Sequence, residues 1–386
     1  MLANATNKTL RAGAFVRQPG GFRAFVPKPL PPDPPLMVNE DLQSQMGVAC
    51  ANLGRLDSVS TLVPDPDRFV SMYVRQEAVL SSQIEGTQAS LADLLEYEAA
   101  ESEAERTVDL GEIINCVNAL GRGLKLLEKL PVSTRLLCEV HAALMAGVRG
   151  GERSRTPGEV RRSQNWIGGS SPSDARFVPP PVPDMQRAMS DLEKFLNSPK
   201  PTPLLIEIGL AHAQFETIHP FLDGNGRLGR LLITFLLAAR GELAKPLLYL
   251  SHYFKQHRDE YYGRLQAVRT EGDWEGWIQF FLIGVSTVAA EATARARKII
   301  ALREADQALV RGKLGRRAGL ALDLLDFLIE RPVVTSRLAR ERLKRSQPTV
   351  DKLLSDLVRI GVLHETTGKN WGRRFRYHRY LALFDA

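Results

Sequence analysis

The stretch Ile218-His-Pro-Phe-Leu-Asp-Gly-Asn-Gly-Arg-Leu-Gly-Arg230 decides most of what the sequence predicts. It lies between helical apolar patterns at 203–218 and 226–240, so we expect a helix, a tight loop and a second helix. Gly224 and Gly226 permit backbone conformations that other residues avoid, and consecutive N–H groups there can form an anion-binding nest. The N-terminus of the second helix adds a favourable dipole for phosphate at the same place.

The polar side chains of this loop indicate phosphoryl or nucleotidyl transfer. Arg227 and Arg230 are neighbours on one helical face and can grip phosphate oxygens. Asp223 is a hard oxygen ligand of the kind that holds Mg²⁺. His219 can accept a proton near neutral pH. The structural alternative is a glycine-rich turn between core helices, in which Asp223 and Asn225 only cap, and the complete string disfavours it.

The loop resembles the motif of the Fic family, His-Pro-Phe-x-(Asp/Glu)-Gly-Asn-Gly-Arg-x-x-Arg. Every fixed position matches, from His219 to Arg230. The resemblance covers about residues 40–290 and includes further segments: Asn165–Gly169, Phe177–Pro181, Tyr261–Tyr262 and Gly272–Trp274. It implies a mainly α protein, a Fic-type helical bundle with a β-hairpin flap.

The resemblance also implies a protein adenylyltransferase, an enzyme that moves AMP from ATP to a Ser, Thr or Tyr hydroxyl of a protein. His219 would be the base that deprotonates the hydroxyl, and Asp223 would hold Mg²⁺ between the α- and β-phosphates. Such a reaction relies mainly on positioning and charge neutralisation. The residues implied at the phosphates are Gly224, Asn225, Gly226, Arg227 and Arg230.

Two neighbouring segments complete the implied binding site. A hairpin predicted from 164–167 and 176–178 would be the flap that aligns a target segment by strand pairing. Its candidate binding residues are Ile167, Gly168, Gly169 and Ser170. Tyr262 would contact the adenine, with an ordinary helix-surface aromatic pair, Tyr261 and Tyr262, as the alternative.

The upstream segment Ser81-Ser-Gln-Ile-Glu85-Gly86 resembles the family's inhibitory motif, (Ser/Thr)-x-x-x-Glu-(Gly/Asn). The resemblance implies that the Glu85 carboxylate pairs with Arg230 and takes the place of the γ-phosphate. Ser81 is four residues earlier and is expected to hold the glutamate by an i,i+4 contact. An ordinary helix end at Gly86 is the alternative. In some relatives the glutamate activates a water that removes AMP, so de-AMPylation is a second direction to consider.

The chain divides into three predicted regions: an N-terminal arm and helical region with the inhibitory motif (1–129), the catalytic core (130–300) and a C-terminal domain (311–386). The proline-dense stretch 27–36 predicts an extended arm. The last region has the order of a winged helix-turn-helix domain, with helices at 318–329, 335–343 and 347–360, then strands at 362–365 and 374–377.

The positive charge of the chain belongs to this C-terminal region. The formal net charge is +7, with 51 Lys+Arg against 44 Asp+Glu. Residues 311–386 hold 17 Lys+Arg and 8 Asp+Glu, a net of +9, which leaves 34 against 36, or −2, for residues 1–310. The region is predicted to bind DNA or a protein partner, with homodimerisation as one option. Candidate phosphate contacts are Arg342, Lys344, Arg345, Lys352, Arg373, Arg374 and Arg376.

Composition excludes several classes of protein. With 44% hydrophobic and 25% charged residues, the chain is neither collagen-like nor disordered. The three isolated cysteines predict no zinc site or disulfide framework and are expected to be small core side chains. The longest apolar run, 231–239, is nine residues and is broken by Thr234. The N-terminus lacks a signal-peptide core, so we expect a cytoplasmic protein with no membrane span.

Two functional alternatives stay open. One is an ATP-sensing, DNA-binding transcription regulator, which an intact His219 disfavours because a sensor needs no base. The other is an enzyme that transfers another nucleotide such as UMP, or a bare phosphate. Of the remaining histidines, His141 and His212 are expected to be structural.

Overall fold

The structure is a computed structural model that describes residues 11–62, 65–100, 107–148, 156–199, 201–369 and 372–384. These residues are mainly helical, which confirms the predicted fold class. The α-helices are α1 (Glu40–Leu62), α2 (Pro66–Ile84), α3 (Leu91–Ala100), α4 (Val108–Leu127), α5 (Thr134–Leu144), α6 (Val182–Asn197), α7 (Leu204–Ile218), α8 (Asn225–Ala239), α9 (Ser251–Gln256), α10 (Arg258–Glu271), α11 (Trp274–Leu314), α12 (Ala318–Glu330), α13 (Ser336–Leu343), α14 (Gln347–Arg359) and α15 (His378–Leu381). The strands are β1 (Gly13–Arg17), β2 (Arg23–Pro27), β3 (Val333–Thr335), β4 (His364–Glu365) and β5 (Arg374–Arg376).

Local signals explain where several helices begin and end. The Ser133 side chain accepts a hydrogen bond from the N–H of Leu136, so it caps α5 as predicted. Thr107 and Thr335 cap α4 and α13 in the same way. Gly361 follows α14 with φ 76°, the left-handed conformation predicted for it.

Helices α7 and α8 form the centre of the bundle. Almost every residue of α7 is buried, and most of α8 is buried as well. Helix α4 approaches α8 closely at Gly123, where an added Cβ would lie 2.2 Å from the ring of Phe235. The loop between α7 and α8 therefore joins two buried, closely packed helices.

Helix α11 is 41 residues long, and the predicted boundary between 300 and 311 lies inside it. By length and composition, one described stretch, Trp274–Glu330, has the properties of a membrane-crossing helix, and 61% of its most apolar window is buried inside the protein. Core helices of soluble proteins share these properties, so the stretch gives no argument for a membrane span.

The N-terminal arm contains a hairpin that was not predicted, before the proline-dense stretch. Strands β1 and β2 form an antiparallel hairpin in which Phe15 lies opposite Phe25. The N–H of Phe25 donates to the carbonyl of Val178, and the Phe25 ring lies 6.3 Å from the Phe177 ring. The sequence does contain a hairpin signal, because Pro19-Gly-Gly21 separates two short apolar segments. Those segments are too short to predict strands from their pattern.

The C-terminal module, residues 318–384, contains the predicted helices and strands in the order expected of a winged helix. It also contains β3, which was not predicted, in an antiparallel sheet of order β3-β5-β4. Residues 370 and 371, between the two predicted strands, lie outside the described residues. The module packs on α2, where the Gln76 side chain donates to the Phe384 carbonyl and the rings of Tyr73 and Phe384 meet edge to face at 5.5 Å.

The cysteines differ from one another in burial. Cys116 is buried and Cys138 is half-buried, as expected of small core side chains. Cys50 is exposed, so the prediction was wrong for that residue.

Candidate active site

The loop between α7 and α8 has an unusual backbone at both of its ends. His219 follows α7 with φ 49° and ψ 61°, and its N–H donates to the carbonyl of Phe215. Gly224 has φ 75° and precedes α8. The first N–H groups of a helix have no partner within the helix, so α8 presents free donors at Gly226 and its neighbours. This is the anion-binding geometry that the sequence predicts.

Asn225 has a contact that was not predicted. Its amide oxygen accepts from the N–H of Phe221 at 2.9 Å, and its amide nitrogen donates to the Phe221 carbonyl at 2.8 Å. Both ends of the buried side chain therefore help to close the loop. The amide nitrogen has a second N–H, so the contact between this side chain and phosphate stays a prediction.

His141 on α5 packs against the same loop and forms a hydrogen bond with it. Its ring stacks on Phe221 at 3.9 Å, and its Nδ1 accepts from the N–H of Gly158. Nε2 therefore carries the proton and donates to the carbonyl of Asp223 at 3.1 Å. Burial lowers the pKa of His141 to about 4, so the neutral ring persists at physiological pH. The predicted structural role agrees with these contacts, although the sequence did not connect them to the loop.

Arg230 is almost fully buried and is held by α2. Its Nε donates to the Ser81 hydroxyl at 2.8 Å, and its Nη2 donates to the Ser81 carbonyl. Nη2 also lies 2.7 Å from Oε1 of Glu85. The structure therefore brings together the three residues that the sequence singled out. The expected role of Ser81 is corrected, because its hydroxyl binds Arg230 rather than Glu85.

The Glu85 carboxylate occupies the N-terminal end of α8. A Cβ atom added to Gly226 would lie only 2.3 Å from Oε1 of Glu85. The carboxylate thus touches both the positive end of the helix dipole and the guanidinium of Arg230. These are the two features of the loop that would attract a phosphate group.

Arg227 is held by a partner that the sequence did not suggest. It is 4% exposed, and its Nη1 lies 3.7 Å from Oε2 of Glu112 on α4. The same carboxylate oxygen accepts from the hydroxyl of Thr87, which follows the Glu85-Gly86 pair. Glu112 therefore links Arg227 to the segment beyond the predicted inhibitory motif. Because Glu112 and Arg227 are far apart in the sequence, no local pattern could have revealed the pair.

The Asp223 side chain is exposed at the open side of the loop, and its Oδ1 accepts from the N–H of Gly224. Among the described residues, no group of three or more His, Cys, Asp or Glu side chains could hold a metal ion. Mg²⁺ is often bound by one or two carboxylates together with substrate phosphates. The exposed Asp223 fits that mode of binding and does not fit a preformed metal centre.

The imidazole of His219 is free to act on a ligand. Its Nδ1 is buried and has no hydrogen-bond partner among the described residues. Burial lowers the pKa of His219 to about 3, and the charges of Arg269 and Arg161 act in the same direction. The ring is therefore neutral near pH 7, the form that can accept a proton.

The flap is shorter than predicted. Its two sides are joined by one antiparallel bridge, between Ile167 and Phe177. Gly168 and Gly169 both have positive φ, and the turn after them is held by Asp174, which accepts from the N–H and hydroxyl of Ser170. These candidate flap residues are partly or fully exposed beyond the bridge.

The two adjacent tyrosines have different surroundings. Tyr261 is buried and its hydroxyl contacts Nε2 of His212, a hydrogen-bonded core histidine as predicted. Tyr262 is half-buried, and burial, followed by the nearby charge of Glu85, raises its pKa to about 12. The guanidinium of Arg258 lies 5.3 Å from the centre of the Tyr262 ring. Tyr262 thus lies within electrostatic range of Glu85, whereas Tyr261 belongs to the core.

The fold and the loop define a helical protein whose anion-binding helix end is covered by its own glutamate. Two segments of the chain match known families. Residues 43–125 match the family description "Fic/DOC family N-terminal", and residues 131–237 match "Fic/DOC family". These two segments therefore correspond to the two domains of the Fic/DOC family.

Curated relatives and solved structures are consistent with this assignment. The chain is 40% identical over 126 residues to a protein named protein adenylyltransferase Fic from Aedes aegypti, and 34% identical over 157 residues to the protein of that name from Drosophila grimshawi. These matches cover 32% and 40% of this chain but only 22% and 29% of the relatives.

The fold extends beyond those matches. A Fic family protein from Desulfovibrio desulfuricans G20 superposes with a TM-score of 0.55 at 19% identity, over 89% of this chain and 97% of that one. A Fic domain containing signaling protein from Bacteroides thetaiotaomicron VPI-5482 gives a TM-score of 0.51 at 16% identity, over 67% and 97% of the two chains. At such identities the similarity concerns the fold alone.

Proposed function

We propose that this protein is a protein adenylyltransferase that moves AMP from ATP to a Ser, Thr or Tyr hydroxyl of a protein and is inhibited by its own Glu85. The proposal is supported by the names of the curated relatives. The observation that carries it is the placement of the Glu85 carboxylate against both Arg230 and Gly226. A carboxylate held at the two anion-binding features of the loop stands where the outer phosphate of a nucleotide would bind.

In the proposed reaction, the neutral imidazole of His219 takes the proton of the target hydroxyl. The hydroxyl oxygen attacks the α-phosphorus of ATP, and the bond from that phosphorus to the bridging oxygen breaks. Pyrophosphate leaves with the electron pair, and AMP stays on the protein oxygen. The N–H groups at the start of α8 would hold the phosphates, and Arg227 and Arg230 would neutralise charge on the leaving group.

Asp223 would hold Mg²⁺ against the α- and β-phosphates, where the cation supplies further charge neutralisation. For Arg227, the Glu112 carboxylate keeps the guanidinium oriented before the nucleotide arrives. Tyr262 would lie near the adenine, and the flap residues Ile167–Ser170 would align the target segment by strand pairing. The cytoplasmic location and the absence of a membrane remain predictions of the sequence.

Inhibition would come from competition for Arg230. With Glu85 bound, the γ-phosphate cannot reach the guanidinium, so ATP would enter in a pose that misaligns its α-phosphate. Ser81 does not share this role, because it contacts Arg230 without adding negative charge. The same glutamate could activate a water for de-AMPylation, which is tested by returning the modified protein to the wild type with Mg²⁺ and measuring AMP release.

The test compares label transfer from ATP labelled at the α- or the γ-phosphate. We expect Glu85→Gly, with Mg²⁺ and a cell lysate, to transfer α-label to itself or to lysate protein at least ~10-fold faster than the wild type, because removal of one ion pair frees Arg230. Adding His219→Ala to this variant should reduce transfer by ~10²-fold or more. Mass spectrometry of the modified residue gives the mass of the adduct and the class of hydroxyl.

Glu128→Gly is the matched control, because Glu128 is also an exposed glutamate that directly follows a helix. Transfer of γ-label would indicate phosphate transfer, and a preference for labelled UTP would indicate UMP transfer. ATP binding without any label transfer by Glu85→Gly would favour the sensor alternative and would overturn the proposal.

We propose, as a second function, that the C-terminal module binds duplex DNA through α13 and α14. The observation in its favour is a group of exposed cations with no carboxylate partner among the described residues: Arg342, Lys344, Arg345 and Lys352. Arg374 and Arg376 are not part of this group, because both pair with Glu96 on α3. Their expected contact with phosphate is therefore withdrawn. A protein partner, the other prediction, would bind without a steep dependence on salt.

A further inference from the structure

Two arginines outside the family motif are buried. Arg161 is 1% exposed and Arg269 is 7% exposed. Among the described residues, neither has a carboxylate oxygen within ion-pair distance; they contact carbonyls, one hydroxyl and one aromatic ring. A buried cation without a paired anion costs free energy, so its presence needs a reason. The proposed transfer reaction, as derived above, does not use either of them.

The donors of Arg161 converge on the segment that carries His219. Its Nε donates to the His219 carbonyl at 3.0 Å, and its backbone N–H donates to the Pro220 carbonyl at 2.8 Å. Its other side-chain nitrogens donate to the carbonyls of Ser163 and Pro180, on the two sides of the flap. Arg161 therefore ties the backbone of His219 to the base of the flap.

Arg269 reaches the same segment from the opposite side, on α10. Its Nη2 donates to the Glu216 carbonyl at 3.0 Å, and its Nε donates to the Thr217 hydroxyl at 3.1 Å. Its guanidinium lies 3.9 Å from the centre of the Phe177 ring, in the second side of the flap. The carbonyls at the end of α7 are the negative end of the helix dipole, which favours both cations, and the charge of Glu216 also favours Arg269.

The residue between these arginines has a backbone that needs support. A left-handed conformation is uncommon for a residue other than glycine, and it persists where the surroundings hold it. The His219 carbonyl accepts from Arg161 and also from Asn165 at 3.4 Å, and Asn165 donates in addition to the Phe221 carbonyl. The backbone of His219 is thus held by residues of the flap base.

We propose that Arg161 and Arg269 are positioning residues that hold His219 and the flap as one unit, so that the imidazole and the target segment keep a fixed relative position. This inference rests on the proposed function. The same two cations also make protonation of the ring unfavourable, because they are the charged side chains that face it from the flap base and from α10. Glu216, on the same helix as His219, interacts through its backbone and acts in the opposite direction.

The test separates the charge of Arg269 from its geometry. Arg269→Gln removes the charge, and Arg269→Lys keeps the charge but loses the two-point contact with the end of α7. Arg264→Gln is the matched control, because Arg264 is on the same helix but is exposed and pairs with Glu260. All three are made in the Glu85→Gly background, and ATP binding by calorimetry reports whether each variant is folded.

We expect Arg269→Gln and Arg269→Lys to lower kcat by ~10-fold or more, with KM for ATP changed less than twofold, because neither contacts the phosphate loop. The pKa of His219, measured by NMR titration, should rise by ~1 unit or more in Arg269→Gln and stay unchanged in Arg269→Lys and Arg264→Gln. An unchanged pKa of His219 in Arg269→Gln, or a loss confined to KM for ATP, would overturn the proposal. If the Glu85→Gly parent has no activity, the proposed function fails, while the NMR titration still decides the role of Arg269.

Discussion

The phosphate loop and the C-terminal module are both rich in arginine, but the burial and the partners of these arginines differ between the two regions. In the loop, Arg227 and Arg230 are 4% and 2% exposed, and each contacts a carboxylate from a distant helix or helix end. In the module, Arg345 and Lys352 are exposed and have no carboxylate partner among the described residues. A buried cation depends strongly on its partner, whereas an exposed one is screened by water and salt. Exchange of a partner should therefore change the free energy strongly in the loop and only slightly in the module.

The largest difference between the two regions should come from removing one arginine in each. Arg230→Gln leaves Glu85 and the buried carboxyls of Glu77 and Glu216 without the positive charge that favours their ionisation. We expect the free energy of unfolding to fall by about 3–5 kcal/mol. Arg345→Gln should change it by less than about 0.5 kcal/mol. Urea unfolding of both variants measures this, and equal losses would contradict the comparison.

The next largest effect is a pH dependence of stability that comes from Glu77, on the buried side of α2. Burial raises the pKa of Glu77 to about 7, although Ser251 donates two hydrogen bonds to its carboxylate. A raised pKa in the folded state means that folding binds a proton between about pH 4.5 and 7. The contribution of Glu77 to stability is therefore complete below pH 4.5 and is lost as the pH rises through 7.

We expect the wild type to lose about 3 kcal/mol of stability relative to Glu77→Gln between pH 4.5 and 8. Urea unfolding of the two proteins at several pH values measures the difference. Glu365 in the module provides the contrast, because hydrogen bonds from the Thr367 hydroxyl and N–H lower its pKa. Its contribution should have the opposite sign and disappear as the pH falls. A flat difference for Glu77 would show that its carboxyl is not buried in solution.

Predictability from the sequence also differs between local and distant contacts. The loop, the caps at Ser133 and Thr335, and the turn at Gly361 follow from adjacent residues, because backbone geometry selects those residue types. The partner of Arg227 was not predictable, because Glu112 approaches it only when α4 packs against α8. Ser81 was placed correctly but given the wrong contact, since a motif fixes a position and does not fix which neighbour a side chain bonds.

A smaller effect is expected where the module meets α3. Glu96 accepts from Arg374 at 2.8 Å and from Nε of Arg376 at 2.7 Å, and all three side chains are partly exposed. Glu96→Gln should lower the free energy of unfolding by about 1 kcal/mol and speed hydrogen exchange in β5. Glu341→Gln, which breaks only an exposed pair on α13, is the control. No change in exchange at β5 would mean that the pairs do not anchor the strand.

The smallest effect on stability, and the sharpest test of the comparison, is the response of DNA binding to salt. Each exposed cation that contacts a phosphate releases counterions, so the affinity falls linearly on a logarithmic scale as salt rises. Arg345→Gln and Lys352→Gln should each reduce that slope by about 1, with unfolding changed by less than about 0.5 kcal/mol. Arg374→Gln should leave the slope unchanged, because Glu96 already occupies its guanidinium. If Arg374→Gln reduces the slope as much as Lys352→Gln does, then DNA displaces Glu96, and the module exchanges partners just as the phosphate loop is proposed to do.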